Sequence, residues 1–398
     1  MMYGLRPLPG RLHGVGMASE VARPGSPRRI LCVHQGHELY GSDRSFLSSL
    51  EVLRDRYPEA AIDVVVPRRG ELTDRLKGLH GVHVIVEELA AVRAADAGRP
   101  VSAAVRVLTR VPAAVKRAAS YEALYVNTVV VADYLLASRF VRGRTIVHVR
   151  EIPASRSAAL AFSGLLWLAR ATCVYNSAAT RDAYLGKARR AGVVVHNGVE
   201  TVSASPVDAA GPGPLRLLLI GRINTWKGHD LLLDALRRLS EDERERFSVR
   251  IVGDVAEGQG ALRTALARRL DDEGLHGTVT LHPFTPDPSN EYRLAHVVVV
   301  PSTRPEPFGR VAVEAMSAGR PVLAADHGGL REIVEDGVSG WRFPAGDVGA
   351  LTDRLRSLER NRHVIAATGG RAQARFEKEF SLEAYRRRLG EVFADAFG

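Results

Sequence analysis

Cysteine is scarce: 398 residues carry two, Cys32 and Cys173, far apart and each inside an apolar, strand-like run. Such thiols read as buried structural residues, and a chain without a disulfide framework fits a reducing compartment. The expected location is therefore cytoplasmic. No apolar run reaches the roughly 18–20 residues that cross a bilayer; the longest candidate, Leu160–Ala169, stops at Arg170. Residues 1–27 are rich in Gly, Pro and Arg and lack a continuous apolar stretch, so they read as a disordered leader rather than a signal peptide, with Met17 an alternative start. His-Glu-x-x-His, Cys-x-x-Cys, Gly-x-Ser-x-Gly, the P-loop and Gly-x-Gly-x-x-Gly are all missing. Their absence removes zincin, zinc-knuckle, hydrolase-elbow, phosphate-loop and dinucleotide readings. Aromatic residues amount to 6%, with no RNA-stacking platform and no helix-turn-helix signature, so nucleic acid is not the expected partner.

What is present is positive charge. Net charge is +10, with 55 Lys and Arg against 45 Asp and Glu. The basic residues are mostly arginine and scattered, which calls for an anionic partner without naming it. Hydrophobic content of 45% and charged content of 25% are those of a soluble globular protein, and the length suits two α/β domains.

Strand and helix signals alternate from Arg28, which predicts parallel sheets wound with helices. Expected strands in the first half are Ile30–His34, Ile62–Pro67, Val82–Val86, Ala123–Asn127, Thr145–Arg150, Thr172–Asn176 and Val193–Asn197. Residues 201–214, rich in Ser, Ala, Gly and Pro, read as a linker between domains 28–200 and 215–380. The pattern then restarts with strands Leu215–Gly221, Ser248–Gly253, Val279–His282, His296–Pro301 and Pro321–Ala325.

One segment carries the most chemistry. In Arg304-Pro-Glu-Pro-Phe-Gly-Arg-Val-Ala-Val-Glu314, two carboxylates, Glu306 and Glu314, bracket the start of a helix that follows a buried strand. In open α/β sheets that crevice binds ligands, and the N–H groups of Phe308, Gly309, Arg310 and Val311 would open onto an anion. Each carboxylate can accept hydroxyl protons from a polyol, with a phosphate between them, which is the shape of a nucleotide sugar. The plainer alternative is an acidic residue favoured by the helix dipole. A second segment, Gly221-Arg222-Ile-Asn-Thr-Trp-Lys227-Gly228, closes a strand and opens a helix. Two basic residues there oppose the dipole unless they neutralise a ligand: Arg222 offers parallel donors and Lys227 a point charge.

Together these segments resemble the Glu-x7-Glu and Gly-Arg-…-Lys-Gly motifs of retaining glycosyltransferases with two facing Rossmann-like domains, the GT-B architecture, and most closely the GT4-type family. The resemblance covers about Ile30 to Ala350, is specific in the second domain and looser in the first. It implies that Arg222 and Lys227 clamp a donor diphosphate beside Gly221, Glu314 accepts both ribose hydroxyls, and Glu306 accepts hydroxyls of the transferred sugar. Many relatives have glycine where Pro307 stands here, so the phosphate nest loses one N–H; Arg310 could add a side-chain charge. In His34-Gln-Gly-His-Glu-Leu-Tyr-Gly41-Ser42-Asp43, Gly41 would let the backbone approach the donor, with Ser42 in an N-cap-like position and Asp43 serving either the site or the dipole. His148, at a strand end facing the cleft, would touch the donor sugar. Arg150 and Glu151 would bind acceptor or pair with each other. Phe284 and Gly253-Asp254 mark the expected place of the base. Asn176-Ser177 and Asn197-Gly198-Val199 read as turns shaping the interdomain wall, and Leu382–Phe397 as a helix crossing back to the first domain.

No Asp-x-Asp occurs, against a metal-dependent GT-A enzyme, and no nucleophile is paired across the sugar. The resemblance therefore implies a front-face mechanism with neither metal nor cofactor, in which the protein supplies positioning and electrostatics. Expected partners are a nucleotide-sugar donor and a sugar, lipid-linked or metabolite acceptor. Base, sugar, linkage and oligomeric state are not fixed by these motifs. Basic amphipathic Val101–Lys116 and apolar-rich Leu160–Leu168 read either as ordinary helices facing a sheet or as a peripheral membrane contact at the inner face. Rival functions are a nucleotide-sugar isomerase or hydrolase on the same scaffold, and a non-catalytic basic binding protein.

Overall fold

The computed structural model describes residues 26–398 apart from 40, 93–95, 97–98, 141–142, 205–207 and 257. The expected leader, save Ser26 and Pro27, lies outside the described residues. Seven strands form the first sheet: β1 (Arg29–Val33), β2 (Ala61–Val66), β3 (Val82–Val86), β4 (Ala123–Val126), β5 (Arg144–Val149), β6 (Thr172–Tyr175) and β7 (Val193–Val194). Six form the second: β8 (Leu215–Ile220), β9 (Phe247–Val252), β10 (Val279–His282), β11 (Val297–Val300), β12 (Val322–Ala325) and β13 (Gly340–Phe343). Their orders are β3-β2-β1-β4-β5-β6-β7 and β10-β9-β8-β11-β12-β13, and the pairings are parallel. Two doubly wound α/β units result.

Strand sequence explains the burial. Strands such as Val297-Val-Val-Val300 are apolar at every position because helices cover both faces. Alternate residues divide between two cores: Leu215, Leu217 and Leu219 pack on one side of the second sheet, and Leu218, Val298 and Val300 on the other. Each order has its switch point between the first and fourth strands, β1/β4 and β8/β11, where loops diverge and leave a crevice. The loops that follow β8 and β11 are the two basic and acidic segments singled out in the sequence.

The last helix, Leu382–Phe397, belongs spatially to the first sheet. Tyr385, Leu389, Phe393 and Phe397 are buried with Ile30, Cys32 and Tyr125. Tyr385 shares a hydrogen bond with Ser49 (2.7 Å), and Tyr57 donates to the Phe393 carbonyl (2.8 Å). The chain leaves the first unit and returns beside itself, the Val199 N–H donating to the Phe380 carbonyl at 3.0 Å.

The structure differs from expectation in its strands at two places. The strand Val193–Asn197 shrinks to Val193–Val194. Strand β13, Gly-Trp-Arg-Phe, escaped notice because it has no apolar run. The apolar stripe on the helix Pro100–Ala118 has the opposite phase from an inward-facing one. Val101, Val105 and Leu108 are exposed, while Ala103, Val107, Ala114 and Ala118 are buried. No helix among the described residues is long and apolar enough to cross a membrane. Cys32 and Cys173 are free and buried, and burial pushes both thiols up.

Candidate functional site

After β8 the chain makes a tight loop. The Asn224 carboxamide oxygen accepts from the Trp226 and Lys227 N–H groups at 3.1 and 2.9 Å. The Thr303 N–H then donates to the Trp226 carbonyl at 2.7 Å, pinning the loop against the end of β11. Gly228 opens the helix His229–Arg237 at φ 80, and a Cβ there would lie 1.9 Å from the Pro301 carbonyl oxygen. Only glycine fits both the left-handed backbone and that approach. Gly228→Ala is expected to destabilise the fold by at least about 2 kcal/mol, read as a lowered urea midpoint at unchanged slope.

This docking brings Lys227 to Glu306. Lys227 Nζ lies 2.6 Å from Glu306 Oε1, with side chains 18% and 7% exposed, and its ammonium also sits 4.6 Å from the Trp226 ring centroid. Ser302 Oγ donates to the same carboxylate oxygen at 2.6 Å. Eight residues on, Glu314 accepts from the Tyr292 hydroxyl (2.7 Å) and from Arg310 Nε (2.8 Å). Between the two acids, Gly309 adopts φ 109 and turns the chain into the helix Arg310–Ser317, where the Ala312 N–H already donates to the Gly309 carbonyl at 3.0 Å and the amides before it precede the helical bonds. Arg310 lies along its own helix on Glu314, one turn further on, and still lines the cavity between the two units.

A cavity of about 320 Å³ opens between the two units, lined by Gly41, Gly221, Arg222, Lys227, Phe284, Arg310, Val311 and Glu314. Gly253, Asp254 and the half-exposed Phe284 form one end. Glu306 stands behind Lys227 rather than on the lining, and Phe308 turns its buried ring toward His196 and Phe380. Among the described residues no three His, Cys, Asp or Glu side chains gather as a metal site.

The first unit matches expectation less closely. Gly41 lines the cavity, but the helix begins at Gly41, so Ser42 lies within its first turn instead of capping it. Asp43 is buried and takes a hydrogen bond from His34 Nε2 (2.7 Å), and burial holds the His34 pKa below its ordinary value. His148 is not on the cleft wall; it is fully buried. Strand alternation gives the reason, because His148 shares a face with Ile146, beneath the helices Gly41–Arg56 and Leu382–Phe397. Its Nδ1 lies 2.9 Å from the Tyr125 hydroxyl and 3.2 Å from Arg150, and burial depresses its pKa strongly. Arg150 is on that face too, bonded to Asn127, Asn197 and Ser49, while Glu151 accepts from Thr128. The two do not pair side chain to side chain; the Arg150 N–H donates to Glu151 Oε2 at 3.1 Å instead. Arg44, Tyr292 and Ser302 are site residues that the sequence reading missed. Arg44 lines the cavity, donating to the Leu39 and Pro286 carbonyls.

The family described as Glycosyl transferases group 1 matches residues 206–376. A D-inositol 3-phosphate glycosyltransferase of Frankia alni is 40% identical over 167 residues, which are 39% of this chain and 40% of the relative. The amylovoran biosynthesis glycosyltransferase AmsK of Erwinia amylovora is 31% identical over 186 residues, 45% of this chain and 44% of its own. The chain thus spans less than half the length of these curated relatives. HepE of Anabaena, solved in complex with UDP-glucose, superposes with a TM-score of 0.75 at 24% identity, covering 92% of this chain and 99% of that one. At such identity the likeness is one of fold. The chain accordingly has the GT-B fold, and its residues 206–376 are similar to the group 1 glycosyl transferases.

Proposed function

We propose that the chain is a retaining glycosyltransferase moving a hexose-type sugar from a nucleotide diphosphate sugar to a hydroxyl of a glycan, lipid-linked sugar or glycosylated metabolite. One observation carries the reading: Arg222, Lys227 and Glu314 share one interdomain cavity, and Glu306 is bonded to Lys227 at its edge. In this reading the diphosphate lies between Arg222, Lys227 and the amides of Gly309, Arg310 and Val311. The base lies beside Phe284 and Gly253, the ribose on Glu314, and the sugar toward Glu306. Charge develops on the leaving diphosphate, where Arg222, Lys227 and a helix N-terminus stabilise it without a metal. In this reading the acceptor hydroxyl attacks from the donor's own phosphate side and passes its proton to the departing diphosphate, which keeps the anomeric configuration.

Glu314 should serve binding more than chemistry. Its loss removes charge-assisted bonds of roughly 1.5–3 kcal/mol, so Glu314→Ala is expected to weaken UDP binding by about 10–100-fold in calorimetry. Saturated turnover should change far less; equal losses in both would contradict the ribose role. The donor is best sought by thermal shift with nucleotide sugars, starting with UDP-glucose, the ligand of the HepE structure. Acceptors are then tested by nucleoside diphosphate release. Release that depends on acceptor supports transfer, whereas donor consumption without acceptor points to the hydrolase or isomerase. Salt-sensitive anion binding indifferent to Glu314→Ala and Lys227→Ala points to a binding protein.

A cytoplasmic site with peripheral membrane contact belongs to the same proposal. Val101, Val105 and Leu108 are exposed beside Arg106 and Arg110, and Leu160, Trp167 and Leu168 are exposed on the helix Arg156–Ala169. An apolar face set among arginines suits an anionic bilayer. Co-sedimentation with phosphatidylglycerol vesicles, lost in Val105→Asp/Leu108→Asp, is the expected result.

A further inference from the structure

The two units meet at a second place, away from the cavity lining. Ser177, the N-cap of the helix Ala178–Asp182, and Thr180 both donate their hydroxyls to the Pro307 carbonyl, at 2.5 and 3.0 Å. Both side chains are fully buried. From the second unit, Glu332 presents its carboxylate to the start of the same helix. The Ala178 N–H donates to Oε2 and the Ala179 N–H to Oε1, each at 2.7 Å, and His196 Nε2 lies 3.0 Å from Oε2. The helix thus has two of its free first-turn amides satisfied by a residue of the other unit. Burial pushes the Glu332 carboxyl up, but these bonds hold it below its ordinary value. His196 also packs between Phe308 and Phe380, with ring centroids 6.1 and 5.3 Å away.

These contacts converge on the acidic loop. Pro307 adjoins Glu306, and the Glu306 carbonyl accepts from the Gly329 N–H (2.7 Å) just before the short helix that bears Glu332. We infer that Ser177, Thr180, Glu332 and His196 form an interdomain clasp that couples the angle between the two units to the placement of Glu306, with Glu332 as its positioning residue. The clasp sits beside the chain's double crossing at Val199 and Phe380, so a small rotation there strains the Pro307 bonds directly. This rests on the donor-site reading only for its kinetic consequence, since the contact itself is independent of any ligand.

The test uses the full-length chain as wild type, Glu332→Gln and Ser177→Ala, by hydrogen exchange with and without UDP. Both variants are expected to speed exchange of the Ala178 and Ala179 amides roughly tenfold or more, and to loosen peptides spanning 302–311 as well. UDP affinity should stay within about threefold, because Arg222, Lys227 and Glu314 are untouched. Hydrolysis or transfer from UDP-glucose should lose at least about tenfold in kcat with KM little changed, as misplacement of a positioned group does. Opening at Ala178 and Ala179 with no change at 302–311 overturns the coupling, and unchanged exchange at those amides overturns the clasp. Wild-type chain that binds none of UDP, GDP, ADP and dTDP sinks the donor-site reading while leaving the exchange result to decide the clasp.

Discussion

Lys227→Ala is expected to lower turnover of the nucleotide sugar by at least ~10²-fold, the scale of losing one group that meets developing charge. The geometry gives the ammonium two duties. Its Nζ lies 2.6 Å from Glu306 and faces a cavity it shares with Arg222. A bound diphosphate would therefore find this cation already fixed by the Asn224 turn, the Trp226 ring and the Glu306 carboxylate, with little reorganisation left for the reaction. Alanine removes the charge and leaves a buried carboxylate with Ser302 as its remaining donor. Lys227→Arg should rescue poorly, because a flat guanidinium cannot occupy the ammonium's place between Trp226 and Glu306. Single-turnover rates with saturating donor separate this loss from weaker binding. A folded Lys227→Ala chain with near-normal turnover would falsify the assignment.

The second unit was legible because its chemistry follows strand ends in chain order. Gly221–Gly228 leaves β8 and Ser302–Gly309 leaves β11, the two strands at the switch point, so residues about eighty positions apart meet without help from the rest of the fold. What escaped depends on tertiary placement. Tyr292 comes from the helix Ser289–Leu294 and finds Glu314 only once that helix packs beside β8. Ser302 reads as a strand-end residue until the loop folds it onto Glu306. Glu332 looks like an ordinary acid three residues beyond a Gly-Gly turn, and its partners are more than 130 positions away.

The first unit shows a different failure, one of parity. Its place at a strand's carboxyl end points His148 to the cleft, yet its side chain follows Ile146 onto the face covered by the last helix. Counting alternation from Ile146 would have assigned His148 and Arg150 together to the interior. On the helix Pro100–Ala118 the stripe of Val101, Val105 and Leu108 is exposed, which rules out the sheet-facing alternative for those three residues. Small residues, Ala103, Ala114 and Ala118, face inward there, allowing close packing, while the larger Val101, Val105 and Leu108 are left outside. Val107 is buried with them while Ala104 and Ala113 are exposed, so the way the helix is seated, not residue size, sets the buried side.

Glu306→Ala carries the other large expected effect, again a loss of at least ~10²-fold in turnover. Glu306 is 6% exposed and held at both ends, by Lys227 and Ser302 on the carboxylate and by the Gly329 N–H on the carbonyl. A residue fixed that firmly at a cavity edge can orient a sugar hydroxyl without first being ordered. Glu306→Gln separates charge from shape, since the amide oxygen can still accept from Lys227 and Ser302 while the full negative charge is gone. If Glu306 acts by accepting sugar hydroxyls, glutamine should retain part of the rate that alanine loses. Because Lys227 and Glu306 touch, the double variant Lys227→Ala/Glu306→Ala should fall well short of the product of the single losses, with a coupling of about 0.5–3 kcal/mol. Strict additivity in that cycle, read from kcat/KM, would mean the two residues act separately and that the 2.6 Å contact has no part in the reaction.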